Sequence, residues 1–189
     1  MSAYREAVWQ AVSGDAVPEA FAERRAFVLS SIPPHARVLD VGCGDGSFAA
    51  ELAASGARVI GVDVAREAVE RARRGVAGAE FRLAPEDGPL PVEDGWADVA
   101  WAGEVLEHVV DVIGLLLEIR RVLAADGLLV ATTPANGPLL TRTSRLDPFA
   151  DHVRFFTRRS LRAVLVEAGF GDVAIRRRRG RLYARATAV

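Results

Sequence analysis

The chain contains no lysine: all 24 basic residues are arginine. In a sequence this rich in Ala, Gly and Val, that reflects composition more than mechanism. Net charge is also nearly absent, at −1, so there is no global pull toward nucleic acid or a membrane surface. The single cysteine, Cys43, cannot form an internal disulfide, which fits a reducing compartment. No apolar run approaches the roughly 20 residues of a membrane-spanning helix. The opening residues show no charged segment followed by an apolar core, so the expectation is a cytoplasmic protein without an export signal.

What is present is a globular composition. Half of the 189 residues are hydrophobic and 26% are charged, enough for one domain with a real core. Helical spacing covers residues 3–12 and 18–31, where Pro18 suits a first turn and Pro33-Pro34 stops the pattern. The centre alternates strand-like runs (37–41, 58–62, 79–83, 97–102, 127–132) with helical ones (46–55, 65–74, 109–124). That alternation predicts an α/β fold with a mainly parallel sheet and right-handed crossovers. Residues 134–152 carry Pro134, Gly137, Pro138 and Pro148 without periodicity, and so long a loop is usually functional. Thr157 is placed to cap a helix ended by Gly169, and the runs 171–178 and 181–188 around Gly180 read as an antiparallel hairpin. The expectation is one domain over 1–189, with residues 1–34 forming helices that cover the site.

The densest chemical signal lies at 38–48, where Val-Leu-Asp-Val enters a turn containing Gly42, Gly44 and Gly46. Glycines there let the backbone approach a ligand closely. A second apolar run ends on Asp63, whose carboxylate suits two ribose hydroxyls. A nicotinamide-binding turn wants Gly-x-Gly-x-x-Gly facing a pyrophosphate, but here the spacing is Gly-x-Gly-x-Gly and Ser47 holds the later position. Asp40, two residues ahead of Gly42, would repel a pyrophosphate and favours a ligand with a cationic end. Cys43 reads as a space-filler inside the turn.

A second constellation follows the fourth strand-like run. If Glu104, Glu107 and His108 are helical, they share one face. Two carboxylates and an imidazole make half of a hard-metal site, and His152 in the long loop offers a further ligand. Oxygen ligands suit magnesium or manganese, while imidazoles tilt the choice toward manganese, iron, cobalt or zinc. The simpler reading is that the carboxylates favour a helix N-terminus and the histidine is merely hydrogen-bonded.

These segments resemble the class I S-adenosylmethionine-dependent methyltransferases. The resemblance rests on Leu-Asp-Val-Gly-Cys-Gly-Asp-Gly at 39–46, Gly-Val-Asp at 61–63, Glu-Val-Leu-Glu-His at 104–108 and Leu-Ala-Ala-Asp-Gly-Leu-Leu-Val at 123–130. His-Val-Arg-Phe-Phe-Thr at 152–157 and Glu-Ala-Gly-Phe at 167–170 extend it. It implies a Rossmann-like seven-stranded sheet with helices on both faces and a C-terminal antiparallel hairpin. It also implies S-adenosylmethionine bound by Asp40, Gly42, Cys43, Gly44, Gly46, Asp63, Val64 and Gly103, with Glu86 or Asp87 at the adenine. The Glu-x-x-Glu-His cluster is similar to two metal-using branches, the ubiquinone-biosynthesis O-methyltransferases and the small-RNA terminal 2′-O-methyltransferases. That similarity implies a divalent ion, magnesium, manganese or a similar one, on Glu104, Glu107, His108 and His152.

Methyl transfer is an in-line displacement, so the protein mainly orients the acceptor. A phenol with a pKa of about 10 is a poor nucleophile at neutral pH. A divalent ion holding two adjacent hydroxyls would lower that value; without one, His108 or His152 would act as general base, with Glu107 beside them. The expected acceptor is therefore a small catechol-like or vicinal-diol molecule, with an RNA 3′ end as the alternative. The expected assembly is a monomer or homodimer. Tyr4, Trp9, Phe149, Phe155 and Phe156 are candidates for the acceptor pocket, whereas Trp96 and Trp101 read as packing residues. Arg176 to Arg179, with Arg181 and Arg185, form a basic patch that reads as a charged edge hairpin discouraging edge-to-edge pairing, with contact to RNA or a phosphorylated substrate as the sharper alternative.

Overall fold

The computed structural model of the chain describes residues 2–11, 17–135 and 152–189. Its strands are β1 (Arg37–Val41), β2 (Arg58–Asp63), β3 (Ala79–Leu83), β4 (Ala97–Gly103), β5 (Leu123–Pro134), β6 (Phe170–Arg178) and β7 (Arg181–Ala188). They form one seven-stranded sheet in the order β3-β2-β1-β4-β5-β7-β6. The four pairings among β1 to β5 are parallel, and β7 runs antiparallel to both β5 and β6. The fold expected from the sequence is therefore the fold observed.

Apolar residues set these strands. In β1, Val38 and Leu39 are fully buried and point to opposite faces, as a strand covered on both sides requires. One face packs on α2 (Phe21–Leu29), α3 (Ser47–Ala54) and α4 (Arg66–Gly75), which contribute Val28, Phe48, Leu52, Val69 and Ala72. The other face packs on α5 (Val112–Val122) and α6 (Arg158–Glu167), through Leu116, Ile119, Leu161 and Leu165. Each such fully buried aliphatic side chain contributes about 1.5–3 kcal/mol. The remaining helix, α1 (Ser2–Ala11), lies against α4.

Capping follows the expected chemistry in places. Thr157 caps α6 by accepting from the Ser160 N–H at 3.0 Å, and the Ser160 hydroxyl completes a reciprocal box. Several expected boundaries differ, two of them for a visible reason. The helix expected from residue 109 starts at Val112, because Asp111 caps it by accepting from the Gly114 N–H at 2.8 Å. β5 begins earlier than expected because Leu123 pairs with Ala97 across an irregularity in the ladder. Among the described residues, no helix is long and apolar enough to cross a membrane. Of the expected loop at 134–152, residues 136–151 lie outside the described residues, and with them Phe149.

Candidate functional site

The parallel strands all end at one edge of the sheet, and the connections there build the site. β1 runs into the turn at Gly42, Gly44 and Gly46, whose φ values are +65°, +56° and +86°. These angles lie in the left-handed region that a side chain disfavours. Space excludes side chains too. A Cβ on Gly42 would sit 2.5 Å from Val105, and one on Gly44 would sit 2.7 Å from the Trp9 ring. The turn is tied to β2 by the Cys43 N–H, which donates to the Val62 carbonyl at 3.0 Å. Asp45 shapes its exit into α3, accepting from the Ser47 N–H at 3.1 Å and hydroxyl at 2.6 Å.

Asp63, at the end of β2, braces the same turn. Its carboxylate accepts from the Gly44 N–H at 3.0 Å and the Ala65 N–H at 2.9 Å, which leaves further lone pairs on both oxygens. Burial nonetheless raises its pKa. Asp40, buried inside β1, has one oxygen without a hydrogen-bond partner. Burial, reinforced by the Asp63 charge, pushes its carboxyl up to about 8, with Arg24 opposing. A backbone cradle without side chains, a carboxylate at its rim and a second one short of a partner suit a ligand with sugar hydroxyls and a cationic end. Cys43 is buried and its thiol is pushed up by burial, as suits a space-filler.

The residues beyond Asp63 complete this half. Val64 packs partly buried against the core. The Ala84 N–H donates to the Asp63 carbonyl at 2.8 Å, so the loop that follows starts beside it. Glu86 and Asp87 both stand exposed in that loop. Helix α1 approaches the turn: the Trp9 ring lies against Gly44, and Glu6 accepts from the Glu67 N–H at 3.2 Å at the start of α4. Arg5 reaches across to the other half and donates to the His108 carbonyl at 2.8 Å.

That other half follows β4. Gly103 has no room for a side chain, since a Cβ would run into the Trp101 ring and the Arg24 guanidinium. Glu104 takes a left-handed φ of 59°, and Leu106–His108 form a single 3₁₀ turn in place of the expected helix. The three residues therefore do not share one face. Glu104 turns toward β7, where the Arg181 Nε stands 2.9 Å from its Oε2. Glu107, His108 and His152 come together instead, each offering a ligand atom within 4.8 Å of the others. The Glu107 carboxylate and His108 Nε2 are 3.9 Å apart, and the two imidazole centroids are separated by 4.7 Å.

Glu107 is 1% exposed, and neither of its carboxylate oxygens has a hydrogen-bond partner. Burial, then the neighbouring Glu104, pushes its carboxyl up to about 8; Thr133 and Arg24 nearby offset this in part. His152 is placed by backbone hydrogen bonds, since the N–H groups of Val153 and Arg154 both donate to the Glu107 carbonyl, at 2.9 and 3.3 Å. Phe155 meets His152 edge-on at 5.5 Å, whereas Phe156 is buried in the core. Trp101 is buried and Trp96 is partly buried, both in the core.

Two buried arginines enter this region: Arg24 was not singled out from sequence, and Arg181 was expected in the charged hairpin patch rather than buried. Arg24, on α2, is 4% exposed, stacks over Phe48 at 4.7 Å and donates to the Thr132 hydroxyl at 3.2 Å. Arg181, 5% exposed, pairs with Glu19 at 3.2 Å as well as with Glu104. Arg24 did carry a signal, because it holds a core position in the spacing Phe21, Arg24, Val28.

Comparison with known proteins decides the family. Residues 14–175 match a family described as a methyltransferase domain. The chain belongs to this methyltransferase-domain family. A probable S-adenosylmethionine-dependent methyltransferase of Mycobacterium tuberculosis is 34% identical over 139 residues, 73% of this chain and 50% of that protein. A ubiquinone biosynthesis O-methyltransferase of Methylocella silvestris is 36% identical over 118 residues, 60% of this chain and 43% of that protein. The chain thus spans about half the length of the curated relatives it matches. Among solved structures, a SAM-dependent methyltransferase of Thermotoga maritima, described as a possible histamine N-methyltransferase, superposes with a TM-score of 0.72. It is 22% identical, with 90% of each chain covered. The [4+2]-cyclase SpnF also shares the fold, at a TM-score of 0.68 and 26% identity, covering 87% of this chain and 64% of that one. For this methyltransferase domain the family implies S-adenosylmethionine as the bound donor, and the cradle of Asp40, Gly42, Gly44 and Asp63 fits it.

Proposed function

We propose that the domain transfers a methyl group from S-adenosylmethionine to an oxygen of a small acceptor, preferably one with two adjacent hydroxyls. The observation that carries this reading is Glu107: a fully buried carboxylate with both oxygens unpartnered, grouped with two imidazoles beside the cradle. Leaving such a group unpaired costs several kcal/mol. Its retention points to a partner that arrives with the reaction. Relatives named as ubiquinone biosynthesis O-methyltransferases support oxygen as the receiving atom.

The chain's own residues perform the following tasks. The glycine turn and Asp63 hold the donor, and Asp40 sits where a cationic end needs a counter-charge. S-adenosylmethionine, when bound, supplies an electrophilic methyl group. His108 and His152, whose ring nitrogens lie within 4.8 Å of each other and of the Glu107 carboxylate, take the acceptor proton. Phe155 and α1 restrict water. The donor set of Glu107, His108 and His152 also fits a divalent ion, with one oxygen and two nitrogen ligands. Such an ion would lower the pKa of a bound hydroxyl. Glu104 is committed to Arg181 and is not part of that set.

The test is methylation of catechol, measured with and without a chelator. Monomethylated catechol that disappears with chelator and returns with added manganese supports the ion-assisted form. Unchanged activity in chelator assigns proton removal to the histidines alone, and absence of any methylated product overturns the proposal.

A further inference from the structure

The end of β6 and the turn into β7 carry Arg176, Arg177, Arg178 and Arg179, all exposed. Their position in the fold was not evident from composition. β7 runs antiparallel to β5, so its first residues lie beside the end of β5, at the same sheet edge as the site. The Gly180 carbonyl accepts from the Ala135 N–H at 2.8 Å, which fixes the turn at that edge. Arg179 and Gly180 both have positive φ, 45° and 77°, the signature of a tight two-residue hairpin turn.

The ladder then decides which arginines share a sheet face with Arg181. Arg178 pairs with Arg181 and Arg176 with Tyr183, and directly opposed residues share a face. Arg181 is the residue that reaches Glu104, so Arg178 and Arg176 continue its row outward. Arg177 pairs with Leu182 and belongs to the opposite face. Arg179 is committed to Glu23, and Arg181 to Glu19 and Glu104. Among the described residues, no acidic group pairs with Arg176 or Arg178.

We infer that the acceptor carries a phosphate-type oxyanion, held by Arg176 and Arg178 while its hydroxyl reaches Glu107, His108 and His152. Guanidinium groups match phosphate oxygens in bidentate geometry, which makes arginine suited to this task. The patch is short and is bordered by the carboxylates of Glu19 and Glu23. Among the described residues no exposed aromatic platform accompanies the arginines, so a small anion fits better than a nucleic acid strand. The role assigned to the oxyanion rests on the proposed methyl transfer, but its binding does not.

The experiment is titration of the protein, saturated with S-adenosylhomocysteine, with inorganic pyrophosphate, followed calorimetrically. Saturable, salt-sensitive binding is expected, at least tenfold weaker in Arg176→Ala/Arg178→Ala and in the matching double Gln variant, and unchanged in Arg74→Ala on α4. No saturable binding, or equal binding by all variants, overturns the inference. A single-stranded oligonucleotide that binds more tightly than pyrophosphate, with affinity rising with its length, overturns it in favour of nucleic acid. Failure of catechol methylation with pyrophosphate binding intact would remove the methyl-transfer reading and leave the anion site standing.

Discussion

The Arg181 Nε stands 2.9 Å from the Glu104 carboxylate, joining the first residue of β7 to the residue that follows β4. This pair explains why Glu104 leaves the group that its spacing from Glu107 and His108 suggested. It also sets a second positive charge beside Glu104, whose own charge raises the Glu107 pKa and which Arg24 faces as well. Both side chains are largely buried, at 6% and 17% exposure. Breaking one side of such a pair strands the other charge. Arg181→Met is expected to lower stability by about 3 kcal/mol, and Arg181→Met/Glu104→Gln by less than the sum of the two single changes. Urea denaturation of the four proteins checks both.

Asp40 makes the ligand-free domain sensitive to pH. Its folded-state carboxyl holds its proton up to about pH 8, whereas an unfolded aspartate releases it near about pH 3.9. Between those values the folded form binds more protons, so stability falls as pH rises and levels off above the folded value. The loss is on the order of a few kcal/mol, and Glu107 acts in the same direction. Asp40→Asn is expected to flatten the slope in melts between pH 5 and 8. A cationic donor should reverse the preference. At pH 7, calorimetry in two buffers of different ionisation enthalpy should show release of about one proton on S-adenosylmethionine binding, and none in Asp40→Asn.

Asp63 is expected to matter for the donor more than for the fold. Asp63→Asn keeps one acceptor for the Gly44 or Ala65 N–H but loses the charge. Hydrogen bonds to a charged group contribute about 1.5–3 kcal/mol, so affinity for S-adenosylhomocysteine should fall by roughly tenfold to a hundredfold. Equilibrium binding by calorimetry checks this, with a melting curve to show that the fold persists.

Gly44 separates backbone strain from crowding. Gly44→Ala places a Cβ 2.7 Å from the Trp9 ring and forces a φ of +56° on a side chain. A Trp9→Ala change relieves the contact and leaves the angle. The double variant is therefore expected to retain a loss of about 1–2 kcal/mol relative to Trp9→Ala. Chemical denaturation of the three variants and the parent measures it.

Most of the fold was legible because its signals are local. The run from Val38 through Gly46 and the run ending on Asp63 announce a strand, a turn and a second strand in consecutive residues. The hairpin was legible from Gly180 between two strand-like runs. The site was less so, because it depends on distant contacts. Helical spacing for Glu104, Glu107 and His108 failed when Glu104 took a left-handed φ and Arg181, 77 positions later, drew its carboxylate away. Arg181 looks like one more exposed arginine until β7 is paired with β5. Arg24 was readable in principle from its place between Phe21 and Val28, but a buried charge is justified only by partners that the sequence does not place.

The central claim is that a methyl group passes from the cradle of Gly42, Gly44 and Asp63 to an acceptor oxygen beside Glu107. Its most direct test is product analysis with methyl-labelled S-adenosylmethionine and catechol, for the parent protein and Glu107→Gln. Labelled monomethyl catechol is expected from the parent. The variant is expected to be slower by about a hundredfold, with affinity for S-adenosylhomocysteine unchanged. No labelled product from the parent, or equal rates from the two proteins, would contradict the claim.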